Sequence, residues 1–115
     1  MTAPLAPAYN AAWHGRMSEK QLQAAVEQMC RLLQLRHYHS WTSIHSGRGF
    51  PDLVIAGPSG VLWRELKRQK EHPTPPQQAW LDTLHAAGQD AGIWRPSDLT
   101  DGRVLNELRA LKGLS

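Results

Sequence analysis

The chain has one cysteine, Cys30, so no intramolecular disulfide can staple it and the fold must rest on a packed core. Cys30 falls on the apolar side of a helical pattern, where a small core residue is the ordinary reading. No apolar run approaches the roughly 18 residues of a membrane span, and no leader of charged, apolar and small residues opens the chain. An intracellular protein with no membrane partner is the expectation. Neither sign of charge dominates: 13 Lys and Arg stand against 10 Asp and Glu, a net +3. That balance permits nucleic-acid binding without requiring it. Six histidines are present, but no cysteine pair and no HExxH accompanies His37-X-His39, so zinc has little to bind. On a strand those two would face the same way and line a surface or touch DNA. At 115 residues the chain fits one domain with a modest core.

What is present is a chain of alternating helix and strand signals. Residues 1–17 hold prolines and no period, which reads as a flexible N-terminal arm ahead of a single domain over 18–115. Ser18 followed by Gln21 is a capping box that starts a helix. Leu22, Ala25, Val26, Met29, Cys30 and Leu33 then form an amphipathic stripe, fraying near Leu35 to His37. On a wheel of about 100° per residue, Glu19 lies within roughly 50° of the stripe and Glu27 lies opposite it. An acid beside a buried face needs a partner, so Glu19 is either a metal-site residue or a simple helix-dipole residue.

Tyr38 to Ile44 reads as a strand. Ser46-Gly47-Arg48-Gly49 follows as a glycine loop, in which backbone could approach a phosphate and Arg48 contact one. A second helix starts with Thr74 as N-cap and Pro75 at its first position. Ala79, Trp80, Leu84 and Ala87 mark its inward side, and Gly88 ends it. Ala91 to Arg95 is a last strand, stopped by Pro96. Ser97 or Thr100 could cap a final helix carrying Leu105, Leu108 and Leu111, packed on the domain or used for self-association. Most of the five tryptophans read as core or strand-face residues. Trp41, near the glycine loop, is the candidate exception as a base-stacking residue.

The stretch with chemistry in it lies between. Gly49-Phe50-Pro51-Asp52-Leu53-Val54-Ile55 and Val61-Leu62-Trp63-Arg64-Glu65-Leu66-Lys67 read as two strands joined by the turn Gly57-Pro58-Ser59-Gly60. Strand alternation puts Glu65 and Lys67 on one face with Val61 and Trp63, and Leu62 and Leu66 on the other. Asp52 can face Glu65 across the pair. Two carboxylates and a lysine at one sheet end suit a hard cation, which takes one or two carboxylates plus water and phosphate. Arg64, Lys67, Arg68 and Lys70 crowd one short stretch, a basic run suited to holding a polyanion or simply to facing solvent.

Pro51-Asp52…Glu65-Leu66-Lys67 resembles the PD-(D/E)XK nuclease superfamily. The flanks resemble its VRR-NUC branch: Gly49-Phe50-Pro51-Asp52-Leu53, then Thr74-Pro75-Pro76-Gln77-Gln78-Ala79-Trp80, then Ile93-Trp94-Arg95-Pro96. The resemblance runs from about Ser18 to Asp98. It implies an α/β fold of the restriction-endonuclease-like kind, with a small mixed sheet flanked by helices. It implies a Mg²⁺- or Mn²⁺-dependent DNA endonuclease, with Asp52 and Glu65 as metal ligands joined by the Leu66 carbonyl. Lys67 would orient water or stabilise developing charge, Glu19 would support the metal through water, and Gln77 would position a group near the scissile phosphate. Arg48, Arg64, Arg68 and Lys70 would contact DNA. Stand-alone members of the branch resemble Holliday-junction resolvases, act as homodimers and are often carried by bacteriophages. A four-way DNA junction and a homodimeric partner are therefore expected. A flap, splayed-arm or general nuclease, and a DNA-binding module without catalysis, are the alternatives.

Overall fold

The computed structural model describes residues 11–41 and 48–114. The elements in order are α1 (Ala11–Arg16), α2 (Glu19–Leu32), β1 (Arg36–His39), β2 (Leu53–Gly57), β3 (Gly60–Leu66), α3 (Pro75–Ala86), β4 (Asp90–Trp94), α4 (Pro96–Thr100) and α5 (Arg103–Lys112). The sheet has spatial order β1-β2-β3-β4. The β1–β2 and β2–β3 pairs are antiparallel and β3–β4 is parallel. A parallel neighbour needs a crossover, and α3 supplies it.

Each face of the sheet has its own cover. Leu53 and Ile55 of β2 and Leu62 and Leu66 of β3 face α2, which lays down Leu22, Val26 and Cys30, and α5, which lays down Val104, Leu108 and Leu111. Trp94 at the end of β4 is fully buried in the same cluster. On the other face Phe50 stands edge-on to Trp63 and Trp80, with centroids 6.1 and 5.1 Å away, and so ties α3 to β3. Such aromatic pairs add about 0.5–1.5 kcal/mol beyond area burial.

Local signals place the helix starts. Ser18 Oγ accepts from Gln21 N–H, and Gln21 Oε1 accepts from Ser18 N–H, a full capping box. Thr74 and Gln77 repeat it at the start of α3. α2 ends through Gln34, a non-glycine residue at φ 57°, which turns the chain into β1. The hairpin turn is the expected Gly57-Pro58-Ser59-Gly60, with Gly57 and Gly60 paired across it. A Cβ on Gly57 would lie 2.7 Å from the Leu111 carbonyl oxygen, so the hairpin's close seat on α5 requires glycine there.

Several expectations are corrected. The first strand begins at Arg36 and ends at His39, and its proposed continuation over Thr42 to Ile44 lies outside the described residues. The expected N-terminal arm divides. Ala11–Arg16 form a helix held by His14 Nε2 to Thr100 Oγ1 at 2.6 Å and by Trp13 against the core, while residues 1–10 lie outside the described residues. The inward side of α3 is Leu81 and Leu84, with Ala79 and Ala87 exposed. The final helix starts at neither Ser97 nor Thr100. A short α4 comes first, and α5 then starts after Gly102, with Asp101 Oδ1 accepting from Arg103 N–H. Its buried stripe is Val104, Leu108 and Leu111, and Leu105 is 40% exposed.

That register is testable by denaturant unfolding. Leu108→Ala should cost about 2–5 kcal/mol. Leu105→Ala should stay within about 0.5 kcal/mol of wild type. Equal losses at both positions would contradict the packing.

Candidate active site

The hairpin register sets the site. Leu53 pairs with Arg64, so one step further along the ladder Asp52 stands beside Glu65. Asp52 Oδ2 accepts the Leu66 N–H at 2.7 Å, which fixes the carboxylate against β3. Ser40 braces the other side: its N–H donates to the Asp52 carbonyl at 2.9 Å and its Oγ to the Pro51 carbonyl at 3.1 Å. Lys67 N–H donates to the Trp94 carbonyl at 3.1 Å, which holds the end of β3 against β4. Lys67 Nζ lies 3.5 Å from Glu65 Oε2. Glu65 is 1% exposed and Lys67 7%.

Burying these acids raises their proton affinity. Burial pushes Glu65 up to about 8; the neighbouring Asp52 carboxylate adds to this and Lys67 opposes it. Asp52 is also raised, first by burial, against the opposing effects of the Leu66 N–H, Glu65 and Lys67. Both acids are thus shifted in the direction that favours a proton shared by the pair in the metal-free protein. Glu65 Oε1 is buried with no donor facing it.

Helix α2 brings a third acid. Glu19, in its first turn, lies in the field of the site: burial raises its carboxyl, Lys67 lowers it, and Asp52 and Glu71 raise it again. Sequence reasoning passed over Glu71. It sits in the connection after β3, and its position depends on tertiary bonds. Its N–H donates to the Arg68 carbonyl at 3.1 Å and Arg95 Nη2 donates to its carbonyl at 2.8 Å. Gln69 and Ser97 tie the same connection to α4 through two further bonds, at 3.0 and 2.9 Å. The sequence signal for Glu71 was no more than an acid four residues after Lys67.

Other expected site residues divide. Arg48, Arg68 and Lys70 are exposed and remain free to meet a polyanion. Arg64 does not belong with them. It is 2% exposed, bonded through Nη2 to Asp90 Oδ1 at 2.8 Å and Glu107 Oε1 at 2.9 Å, and set over the Trp94 ring at 5.1 Å. It points to the face opposite Glu65, so no phosphate reaches it. Gln77 is half-committed: its carbonyl oxygen accepts from Thr74 N–H at 2.8 Å, and only the NH₂ end remains for a substrate. Gly49 has a different reason from the one expected, since a Cβ there would collide with the Pro76 backbone at the start of α3. The other members of its loop, Ser46 and Gly47, lie outside the described residues. Glu27 reaches the edge strand, 3.4 Å from His37 Nε2, so His37 serves the fold.

Among the described residues, no three His, Cys, Asp or Glu side chains form a ready-made metal cage. Two carboxylates with one buried oxygen lacking a donor do fit a hard cation that keeps much of its water. Among the described residues no helix is long and apolar enough to cross a membrane.

No protein-family model and no curated protein matches the chain. Solved structures are similar to it, among them the following two. One, described as a VRR_NUC domain protein, is 21% identical with a TM-score of 0.60, covering 86% of this chain and 96% of its own. The other, described as a VRR_NUC domain, is 20% identical with a TM-score of 0.63, covering 76% and 94%. The likeness establishes the fold: a mixed four-stranded sheet flanked by helices, of the PD-(D/E)XK-like kind expected from Pro51-Asp52 and Glu65-X-Lys67.

The raised Glu65 makes a prediction about stability. A folded-state value above the ordinary 4.5 means that the folded protein binds the extra proton. Stability of the metal-free protein is thus fullest below pH 4.5 as far as this group is concerned, and is lost as pH rises through about 8. Melting temperatures measured in chelator should show Glu65→Gln gaining on wild type as pH rises across that window. A constant difference between the two proteins would mean that Glu65 is ionised throughout.

Proposed function

We propose that the chain is a divalent-metal-dependent DNA endonuclease that hydrolyses phosphodiester bonds. The observation that carries this reading is the meeting of Asp52, Glu65 and Lys67 at one end of the sheet, with Glu65 Oε1 buried and without a donor. Mg²⁺ or Mn²⁺ suits this all-oxygen set, with the Leu66 carbonyl as a further ligand and Glu19 acting through water. When bound, such a cation supplies Lewis acidity and lowers the pKa of a water.

The residues divide the remaining work. Lys67, held beside Glu65, orients the attacking water or meets negative charge as it develops on the phosphate. The NH₂ group of Gln77 positions a non-bridging oxygen or a water from the start of α3. Arg48, Arg68 and Lys70 contact the DNA backbone, which sets position and carries no sequence information. Selection then falls on the shape of the DNA. A homodimer cutting a four-way junction fits this small chain, because a two-fold dimer presents two equal sites to a substrate of two-fold symmetry.

A cleavage assay on a four-way junction, a splayed arm, a flap and a linear duplex tests the reading. Asp52→Asn keeps an acceptor for the Leu66 N–H, so it should fold normally yet lose at least about 100-fold in rate. Lys67→Met should lose about 100- to 10,000-fold. Turnover by Asp52→Asn at the wild-type rate would remove Asp52 from the mechanism. Binding of all four substrates by wild type with no cutting in either metal would leave a DNA-binding module.

The assembly is checked separately. Sedimentation at concentrations that cut junctions should find a dimer, and paired symmetric nicks should appear on the junction. A monomer at those concentrations, or cutting spread over all four substrates, would end the resolvase assignment.

A further inference from the structure

Strand β1 is an edge of the sheet, and its outer side has backbone groups to offer. Ser40, one step past the strand, donates its N–H straight across to the Asp52 carbonyl at 2.9 Å. Ser40 thus belongs to a hydrogen-bonded pair, and by the alternation of an antiparallel ladder so do Tyr38 and Arg36. His37 and His39 then direct their N–H and C=O groups away from β2, and those groups bond to no other described residue.

Apolar side chains collect at the same edge. Leu32 is 76% exposed, Trp41 71% and Tyr38 60%, and no other large apolar side chain among the described residues exceeds 43%. Leu32 ends the helix that leads into β1, and the Trp41 ring rests 4.9 Å from that of His39, the last residue of the strand. The opposite edge, β4, carries none of the three. Tyr38 pairs with Val54 and Val54 with Trp63, so Tyr38 stands on the sheet face of Glu65. A groove of about 460 Å³ runs beside it over Val54 and Ala56.

A strand whose free groups sit on His37 and His39, two residues apart, is complementary to itself. Let a second copy run antiparallel with the two Tyr38 residues opposite each other. His37 then meets the partner's His39, His39 meets the partner's His37, and all four outward groups are bonded. Tyr38 falls on the two-fold axis in a non-hydrogen-bonded pair, where side chains stand closest, and its ring meets its mate beside the groove. Arg36 falls opposite the partner's Ser40 rather than another cation. The geometry points to β1 as the contact between two copies of this chain, paired edge to edge so that their sheets become one.

The axis through Tyr38 stands perpendicular to the joined sheet, so both Asp52–Glu65 ends lie on the same face. Three strand spacings of about 4.8 Å separate the two β2 strands, and each Asp52 is two residues, about 7 Å, along from the axis, which sets the sites roughly 20 Å apart. Two cuts on one branched DNA need two sites side by side in this way. The inference rests on the homodimer proposed for the chain and gives that dimer its contact surface.

The test reads assembly in the full chain without DNA or metal. Proline is tolerated on an edge strand where the N–H faces outward, as it does at His39. His39→Pro should therefore keep the β1–β2 ladder and raise the dimer dissociation constant in sedimentation by at least about 10-fold. His39→Ala keeps the N–H and should stay dimeric. Tyr38→Cys should form a disulfide-linked dimer on mild oxidation, since directly opposed residues of such a pair lie within disulfide reach. Ala56→Cys, exposed on the same face one strand inward, should not, and buried Cys30 gives no competing link. A dimer that survives His39→Pro unchanged, or Tyr38→Cys that links no better than Ala56→Cys, overturns the proposal and leaves a dimer built elsewhere. A monomeric wild type overturns the dimer with it, and cleavage by that monomer would still uphold the nuclease reading.

Discussion

The Asp52 carboxylate accepts the Leu66 amide across the open end of the hairpin, and the rest of the site is arranged around that bond. A hydrogen bond from a backbone N–H to a carboxylate is charge-assisted, and it is short here at 2.7 Å. It does two things at once. It closes the end of the β2–β3 pair, and it turns one oxygen of Asp52 inward, towards the strand that carries Glu65 and Lys67. Ser40, just past the end of β1, completes the hold, so Asp52 is gripped on both sides. A carboxylate held this rigidly would suit the role proposed for it, since misplacement by about 1 Å is costly in rate.

The same arrangement creates an electrostatic debt. A buried carboxylate and a half-buried one lie beside a single lysine, and one oxygen of the buried carboxylate has no donor. A protein core does not keep such a group without cost. In the metal-free protein a proton relieves it, which is why Glu65 is pushed to about 8. On the proposed reading a divalent cation would meet both acids together, and proton and cation would then compete for the same oxygens.

How much of this could be read from the sequence depends on how local each signal is. Capping at Ser18 and Thr74 and the apolar stripe Leu22–Val26–Cys30 are written within a few residues, and they stand as read. The alternation in β3 correctly separated Glu65 and Lys67 from Leu62 and Leu66. The errors share a cause. Arg64 looked like one more member of a basic run because its partners, Asp90 and Glu107, lie 26 and 43 residues away. Glu71 was passed over because only tertiary bonds from Arg95 and Gln69 define where its connection runs. Gln77 is a different case: its bond to Thr74 N–H closes a capping box within four residues.

Arg64 also explains why α5 belongs to the domain. A guanidinium that is 2% exposed has to be paired almost completely. Asp90 on β4 supplies one partner and Glu107 on α5 the other. Glu107 receives Trp94 Nε1 at 2.9 Å and Arg103 Nε at 2.8 Å as well. Burial works to raise that carboxyl, but the hydrogen bonds from Arg103, Arg64 and Trp94 hold it below its usual value, so it stays ionised. Arg64 lies between Trp63, which packs towards α3, and Glu65, which faces the site. One residue of β3 is therefore locked to β4 and α5 on the face opposite Glu65. The strand cannot slide by one step without breaking those pairs and exchanging its faces. The register that places Glu65 beside Asp52 is thus enforced from behind, by a charged group whose own role is entirely internal.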